Sequence, residues 1–354
     1  MRFTCKILII IALLINCMIG VSLSQTQTRA GTTTADFLQI GFNSSGNAMG
    51  EAQTALAEDV SSIYFNPASL AKLNKNQVQF TYLPWILDIN SAHVGAAYVN
   101  PRLGNFAVTF FQTSYGAEEV NTVDRQDGTG EVFDGQDAFI SLTYARQLAK
   151  WFSFGSSAKY INSRIWHESA SAVAFDLGAL VNTWFFSSTG EPGDGLDIGM
   201  NISNYGTRMG FNGIDLKETV DIAPDEEGNY GYTATRLETS QWELPLVARI
   251  GFAVHPVITT NHRLTVCLDF IHANNNNEYI NTGAQYAINI PAAGKFTLRA
   301  GYKGINMQDS QYGLTFGFGI MLYNLGNKSL KLDYSYRDIG LLGNMHTYTV
   351  GFLF

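Results

Sequence analysis

From residue 76 to residue 354, apolar side chains alternate with polar or small ones in one segment after another. A two-residue period fits only an extended strand with unlike faces. Val78, Phe80 and Tyr82 alternate with Gln77, Gln79 and Thr81. Leu264, Val266, Leu268 and Phe270 alternate with Arg263, Thr265 and Asp269, and Leu314, Phe316, Phe318, Ile320 and Leu322 with Thr315, Gly317 and Gly319. Counted this way, the chain holds fourteen such segments, the last ending on Phe352-Leu353-Phe354. An even set of strands, each of about 8 to 14 residues, predicts an all-β fold. It is a fourteen-stranded antiparallel transmembrane barrel of outer-membrane type, with apolar residues toward lipid and polar ones toward a lumen. A soluble sandwich shares the period with its apolar face turned inward, and the period alone does not separate the two.

Other features favour the barrel. Met1-Arg2-Phe3-Thr4-Cys5-Lys6 followed by an aliphatic run predicts a secretory signal peptide over residues 1–24, with a mature start near Gln25. The run is too short to remain as a bilayer span. Of three cysteines only Cys267 lies beyond that segment, so no intramolecular disulfide is expected. The chain carries 30 acidic against 22 basic side chains, which argues against nucleic acid as a partner. Charged residues make up only 15% and aromatics 13%, a profile suited to long strands facing lipid.

Connection lengths test the topology. In an even-stranded barrel with both ends on one side, connections after odd strands should include the long ones. The two longest, about 116–136 and 206–241, follow the third and seventh segments. Connections after even segments, such as Asn100-Pro101-Arg102, are short, with 183–194 an exception. Trp85, Trp151, Trp166, Trp184 and Trp242 all fall near strand ends, the pattern of two interfacial girdles.

Residues 25–75 break the alternation. Gly46, Ala48, Gly50, Ala52, Ala55 and Ala57 permit a short close-packed helix, and Asn66-Pro67 imposes a turn. Preceding the first strand, this segment is expected to fill the lumen as a hatch, leaving 76–354 as the barrel. Catalytic motifs are absent: His167-Glu168 has Ser171 where a second metal-binding His would stand, and the acidic run Asp124 to Glu131 misses calcium-loop spacing. No enzyme activity, metal or cofactor is expected. Asp176, Asp197, Arg249, Asp269, Arg299 and Asp333 fall on the lumenal face, where they can pair across strands, hold a plug or meet a ligand.

Asn47-Ala48-Met49-Gly50-Glu51-Ala52 and Ser62-Ile63-Tyr64-Phe65-Asn66-Pro67-Ala68-Ser69-Leu70 resemble the amino-terminal signature of the PorV/PorQ family. Leu298-Arg299-Ala300-Gly301-Tyr302 and Leu332-Asp333-Tyr334-Ser335-Tyr336 resemble its later strands. That family is similar to the FadL fatty-acid transporters, fourteen-stranded barrels with an amino-terminal hatch and the same Asn-Pro-Ala turn. The resemblance implies hatch residues at Ala48, Met49, Gly50, Asn66, Pro67 and Ala68. It also implies a type IX secretion component that binds the translocon or the signal domains of secreted cargo. The alternative is a transporter of hydrophobic small molecules. The sequence departs from the pattern at Glu51, where a glycine is common, and at Ser69. Phe211, Ile214 and Leu216 are hard to leave exposed and suggest that the second long loop is a partner-docking surface or a lid. The lumenal face otherwise reads as polar, which favours the binding module over the transporter.

Overall fold

The structure is a computed structural model describing residues 29–354, apart from 86–88, 227, 229–232, 308–309 and 326–327. The signal peptide expected over 1–24 lies outside the described residues. Fourteen strands form the wall: β1 (Gln77–Pro84), β2 (Asn90–Tyr98), β3 (Asn105–Glu119), β4 (Val132–Ala149), β5 (Phe152–Ile165), β6 (Glu168–Asn182) and β7 (Asp197–Gly206), followed by β8 (Val247–Ile258), β9 (His262–Ala273), β10 (Tyr279–Ile290), β11 (Gly294–Ile305), β12 (Leu314–Leu325), β13 (Lys328–Asp338) and β14 (Asn344–Leu353). Each strand pairs antiparallel with its sequence neighbours, and β1 pairs with both β2 and β14, Gln77 opposite Leu353, so the sheet closes.

Burial settles the phase of the alternation. Phe80 is 48% exposed and Phe316 is likewise exposed, while Gln79 and Thr81 on the same strand as Phe80 are buried. Apolar residues outside and polar ones inside invert a water-soluble sandwich and match a barrel in lipid. No helix among the described residues is long and apolar enough to cross a membrane.

The two ends differ. Turns after even strands define a short-turn end, and connections after odd strands a long-loop end. The expected loop at 116–136 shrinks to 120–131, because Glu118↔Phe133 and Glu119↔Val132 prolong the β3–β4 hairpin. β7 and β8 pair only from Asp197↔Ala253 to Ser203↔Val247. Beyond that level β6 continues to Glu168, and residues 207–246 bridge the gap, with Asn212 and Gly213 pairing to the free edge of β6. A register shift separates Phe175 from Leu177, and Asn204 opposite it takes a left-handed φ of 64°.

Trp151 and Trp184 are exposed near the short-turn end, as an interfacial girdle requires. Trp85 is a correction to the two-girdle expectation, since it packs against the buried cluster formed with the amino-terminal segment. Trp242 lies in the long bridging connection, hydrogen-bonded to the backbone of Met209.

Candidate functional site

Residues 29–75 run through the lumen from one end to the other. At the long-loop end Thr33 forms a parallel bridge with Glu243, and Asn275 donates to Thr33 Oγ1 (2.9 Å) and Asp36 Oδ1 (3.1 Å). A short α-helix at Ser44–Ala48, capped by Asn43, lies midway, and 3₁₀ turns follow at Val60–Tyr64 and Pro67–Lys72. At the short-turn end the Asn105 amide donates to the carbonyls of Leu70 (2.8 Å) and Leu73 (3.0 Å).

The six motif residues meet the wall at glycines. Ala48 packs on Gly317 and Met49 on Gly283 and Gly301, while the Thr54 backbone lies on Gly199. A Cβ at Gly155 would sit 2.5 Å from the Pro67 carbonyl carbon and 2.6 Å from the Ala68 nitrogen. At Gly178 it would overlap the Asn66 side chain. Asn66 is the turn's keystone. Its Oδ1 accepts from Ala68 N–H (3.0 Å), and its Nδ2 donates to Thr54 O and to Ala179 O on β6 (both 2.9 Å). Pro67 opens the 3₁₀ turn, where its missing N–H costs nothing.

Gly50 and Glu51 are both left-handed, each with φ of 64°. Glycine adopts this freely, but Glu51 carries a strain of about 1–2 kcal/mol. Its carboxylate meets Lys303 (2.9 Å) and Arg337 (2.8 Å). Burial opposes ionisation of Glu51, but Lys303 and Arg337 outweigh it and hold the carboxyl below its ordinary pKa.

The same complementarity recurs below. Glu58 accepts from Gln285 (2.7 Å) and lies 3.9 Å from Lys295 and 3.7 Å from Arg299; Asp59 pairs with Lys331. The segment thus places three acids against five cations on β11 and β13. Burial would raise the pKa of Glu58, yet Lys295, Arg299 and Lys331 prevail and bring it down to about 2. A depressed carboxyl contributes stability above its unfolded value of 4.5, and loses it as pH falls through the folded value. Conductance across planar bilayers should therefore stay constant from pH 7 to pH 5 and rise only between about pH 4.5 and 2. A rise already at pH 6 would assign the seating to other groups.

The six lumenal charges take three kinds of partner. Arg299 pairs with Asp333 (2.8 Å), which also meets Lys331 (2.9 Å). Asp269 accepts from Thr54 N–H (2.8 Å), and Arg249 bonds Ser203 (2.9 Å) and lies over the Tyr64 ring (5.3 Å). Asp176 binds Lys159 (2.7 Å) and the Asn204 N–H (2.8 Å), bracing the β6–β7 irregularity. Asp197 is held by Asn182 (2.6 Å) and His255 (3.2 Å), whose other ring nitrogen meets Thr265 (2.9 Å). That Asp-His-Thr ladder spans three neighbouring strands.

The lumen is not polar throughout, a correction to the sequence reading. Phe111, Phe139 and Ile161 point inward and are buried with Phe37 and Phe42 of the segment; Phe42 stacks on His93 at 4.1 Å. These wall positions are apolar because they receive aromatic side chains rather than water. Beside them at the long-loop end lies a cavity of about 490 Å³, lined by Phe37, Ile40, Trp85, Tyr312 and Met345, with Lys303 and Arg337 among its polar groups.

Of the loop residues singled out earlier, Phe211 turns toward the buried cluster and Leu216 is half-buried, while Ile214 is 60% exposed. Met209 and Leu244 anchor the loop in the interior. Between them a hairpin, Lys217–Val220 with Thr233–Arg236, carries the exposed Val220, with Ile222 and Leu237 exposed nearby.

A profile of the family described as Type IX secretion system protein PorV matches residues 23–218. A search of curated proteins finds no match. Among solved structures, the Pseudomonas putida toluene transporter TodX is similar in fold, with a TM-score of 0.54 and 12% identity over 88% of this chain and 98% of that one. The Ralstonia pickettii toluene transporter TbuX aligns with a TM-score of 0.52 and 9% identity over 88% and 97%. A Pseudomonas aeruginosa FadL homologue gives 0.50 and 10% over 89% and 99%.

Proposed function

This chain belongs to the PorV family of type IX secretion system proteins, and on that premise we propose that it is a plugged outer-membrane barrel that docks proteins. It binds the secretion translocon or the signal domains of secreted cargo and passes the cargo toward surface attachment. Residues 1–24 act as a cleaved export signal and residues 25–75 as the hatch. The observation that carries the reading is the connection 207–246. Its base is pinned by Met209 and Leu244, while Ile214, Val220, Ile222 and Leu237 stand exposed above the barrel rim. Apolar side chains beyond the lipid belt, on a braced loop, suit a protein partner. The neighbouring β3–β4 hairpin adds exposed acids, Glu118, Glu119, Asp124 and Glu131, that set charge complementarity.

Replacing residues 212–239 with a short Gly/Ser linker keeps the Met209–Trp242 backbone pairing. The variant should retain heat-modifiable migration and lose translocon and cargo in co-purification. Partners retained by the shortened protein would remove the loop from the mechanism.

The cavity at the long-loop end favours a second reading, transport of a hydrophobic small molecule, because its lining by Phe37, Ile40, Trp85 and Met345 suits an apolar guest. Restored fatty-acid uptake in a transporter-deficient host, together with partner binding that survives loop trimming, would establish it in place of the first.

A further inference from the structure

The cation distribution at the short-turn end is out of keeping with the chain. A cavity of about 610 Å³ opens there, between the end of the hatch and the turns of the wall. Its charged lining is Lys72, Lys150, Arg263 and Lys295 against Glu58 and Asp197, whereas the whole chain has 22 basic and 30 acidic side chains. Lys295 lies 3.9 Å from Glu58 and Arg263 pairs with Asp194 (3.1 Å), but neither Lys72 nor Lys150 has an ion-pair partner among the described residues. Lys72 is half-buried, and that burial pushes its pKa below the ordinary lysine value.

Two further observations shape the site. The connection 183–196, the one long link after an even strand, forms its lip: Pro192 and Gly193 line the cavity, and Arg263 holds the loop by a bond to Gly193 O (2.7 Å). Asn182, also in the lining, has its side-chain carbonyl oxygen buried without a donor. An unpaired buried acceptor calls for a donor, which a polypeptide supplies with its backbone N–H.

From this geometry we infer that the short-turn vestibule is a docking site for an acidic peptide segment of a protein partner on that side of the membrane. Its carboxylates meet Lys72 and Lys150, and a backbone N–H meets Asn182. The cations arise from different elements, the hatch terminus, the β4–β5 turn, β9 and β11, so they fit an extended, multiply charged chain better than one compact anion. Exposed Phe185 and Phe186 of the same connection supply apolar contact beside the charges. This site lies at the opposite end from the loop of the proposed function, and goes beyond that reading.

Fluorescein-labelled hexaglutamate, followed by anisotropy with the full detergent-solubilised protein at low salt, tests the inference. The peptide should bind, release with rising salt, and weaken about tenfold or more in the Lys150→Glu variant and further in Lys72→Glu/Lys150→Glu. Lys150 sits in an exposed turn, so its single variant reads charge without disturbing the hatch. Failure of hexaglutamate to bind, affinity that survives both charge reversals, or competition by inorganic phosphate as effective as by unlabelled peptide would each overturn the assignment. None of these results bears on partner capture by residues 207–246.

Discussion

Gly199→Val and Gly301→Val will each unseat the hatch and open the lumen. The added side chain at Gly199 would occupy the place of the Thr54 carbonyl, and at Gly301 that of the Met49–Gly50 peptide. Strand backbone is fixed by ladders on both sides, β6 and β8 for Gly199, β10 and β12 for Gly301. The hatch must therefore yield. Overpacking of this kind costs about 1–3 kcal/mol when side chains can adjust, and more where the obstacle is backbone. Combined, the two substitutions should convert a closed barrel into a conducting one, with leakage of antibiotics normally excluded. Gly351→Val is the control: it also faces inward, but its Cβ would find its nearest neighbour at 3.6 Å and touch no hatch atom. It should leave conductance unchanged. Equal leakage from all three variants would mean that the glycines serve the strands and not the hatch.

Glu51→Gln should loosen the hatch by about 3–5 kcal/mol, because removing one member of a buried ionic group leaves Lys303 and Arg337 uncompensated. Limited proteolysis of residues 29–75 within an intact barrel would register the change. Glu51→Gly separates the two components. It loses the same charge but relieves the left-handed strain of about 1–2 kcal/mol, so its hatch should be protected better than that of Glu51→Gln and worse than that of the parent. Adding Lys303→Met and Arg337→Met to Glu51→Gly should recover protection. A Glu51→Gly variant more protected than the parent would show that the carboxylate is a burden and not a latch.

The barrel was legible because lipid on one side and a polar lumen on the other impose a two-residue period on every strand. What filled the lumen was less so. The inward parity that exposed Asp333 also selects Lys331 and Arg337, and Lys159 shares the inward face of β5; these cations were within reach of the same count. Their partners Glu51, Glu58 and Asp59 were not, since a segment without periodicity gives no face to assign. The inward glycines registered as small polar-face residues, although they mark where the hatch backbone presses on the wall. Phe111 and Phe139 depart from the polar reading of the inward face, because an aromatic at an inward position makes sense only once Phe37 and Phe42 are placed opposite it. Phe211 could not be told from Ile214 by composition; the fold turns one toward the core and leaves the other exposed.

The bridge between Thr33 and Glu243, with the Thr34 N–H donating to Glu243 O at 3.0 Å, ties the amino-terminal segment to the long connection. One covalent thread is fastened at its outer end to the long connection and at its other end, through Leu70 and Leu73, to β3. Between these fastenings Glu51, Glu58 and Asp59 tie the thread to β11 and β13, and Asn66 ties it to β6. Freeing one end therefore leaves the rest of the thread attached, and opening the lumen requires several contacts along its length to part together.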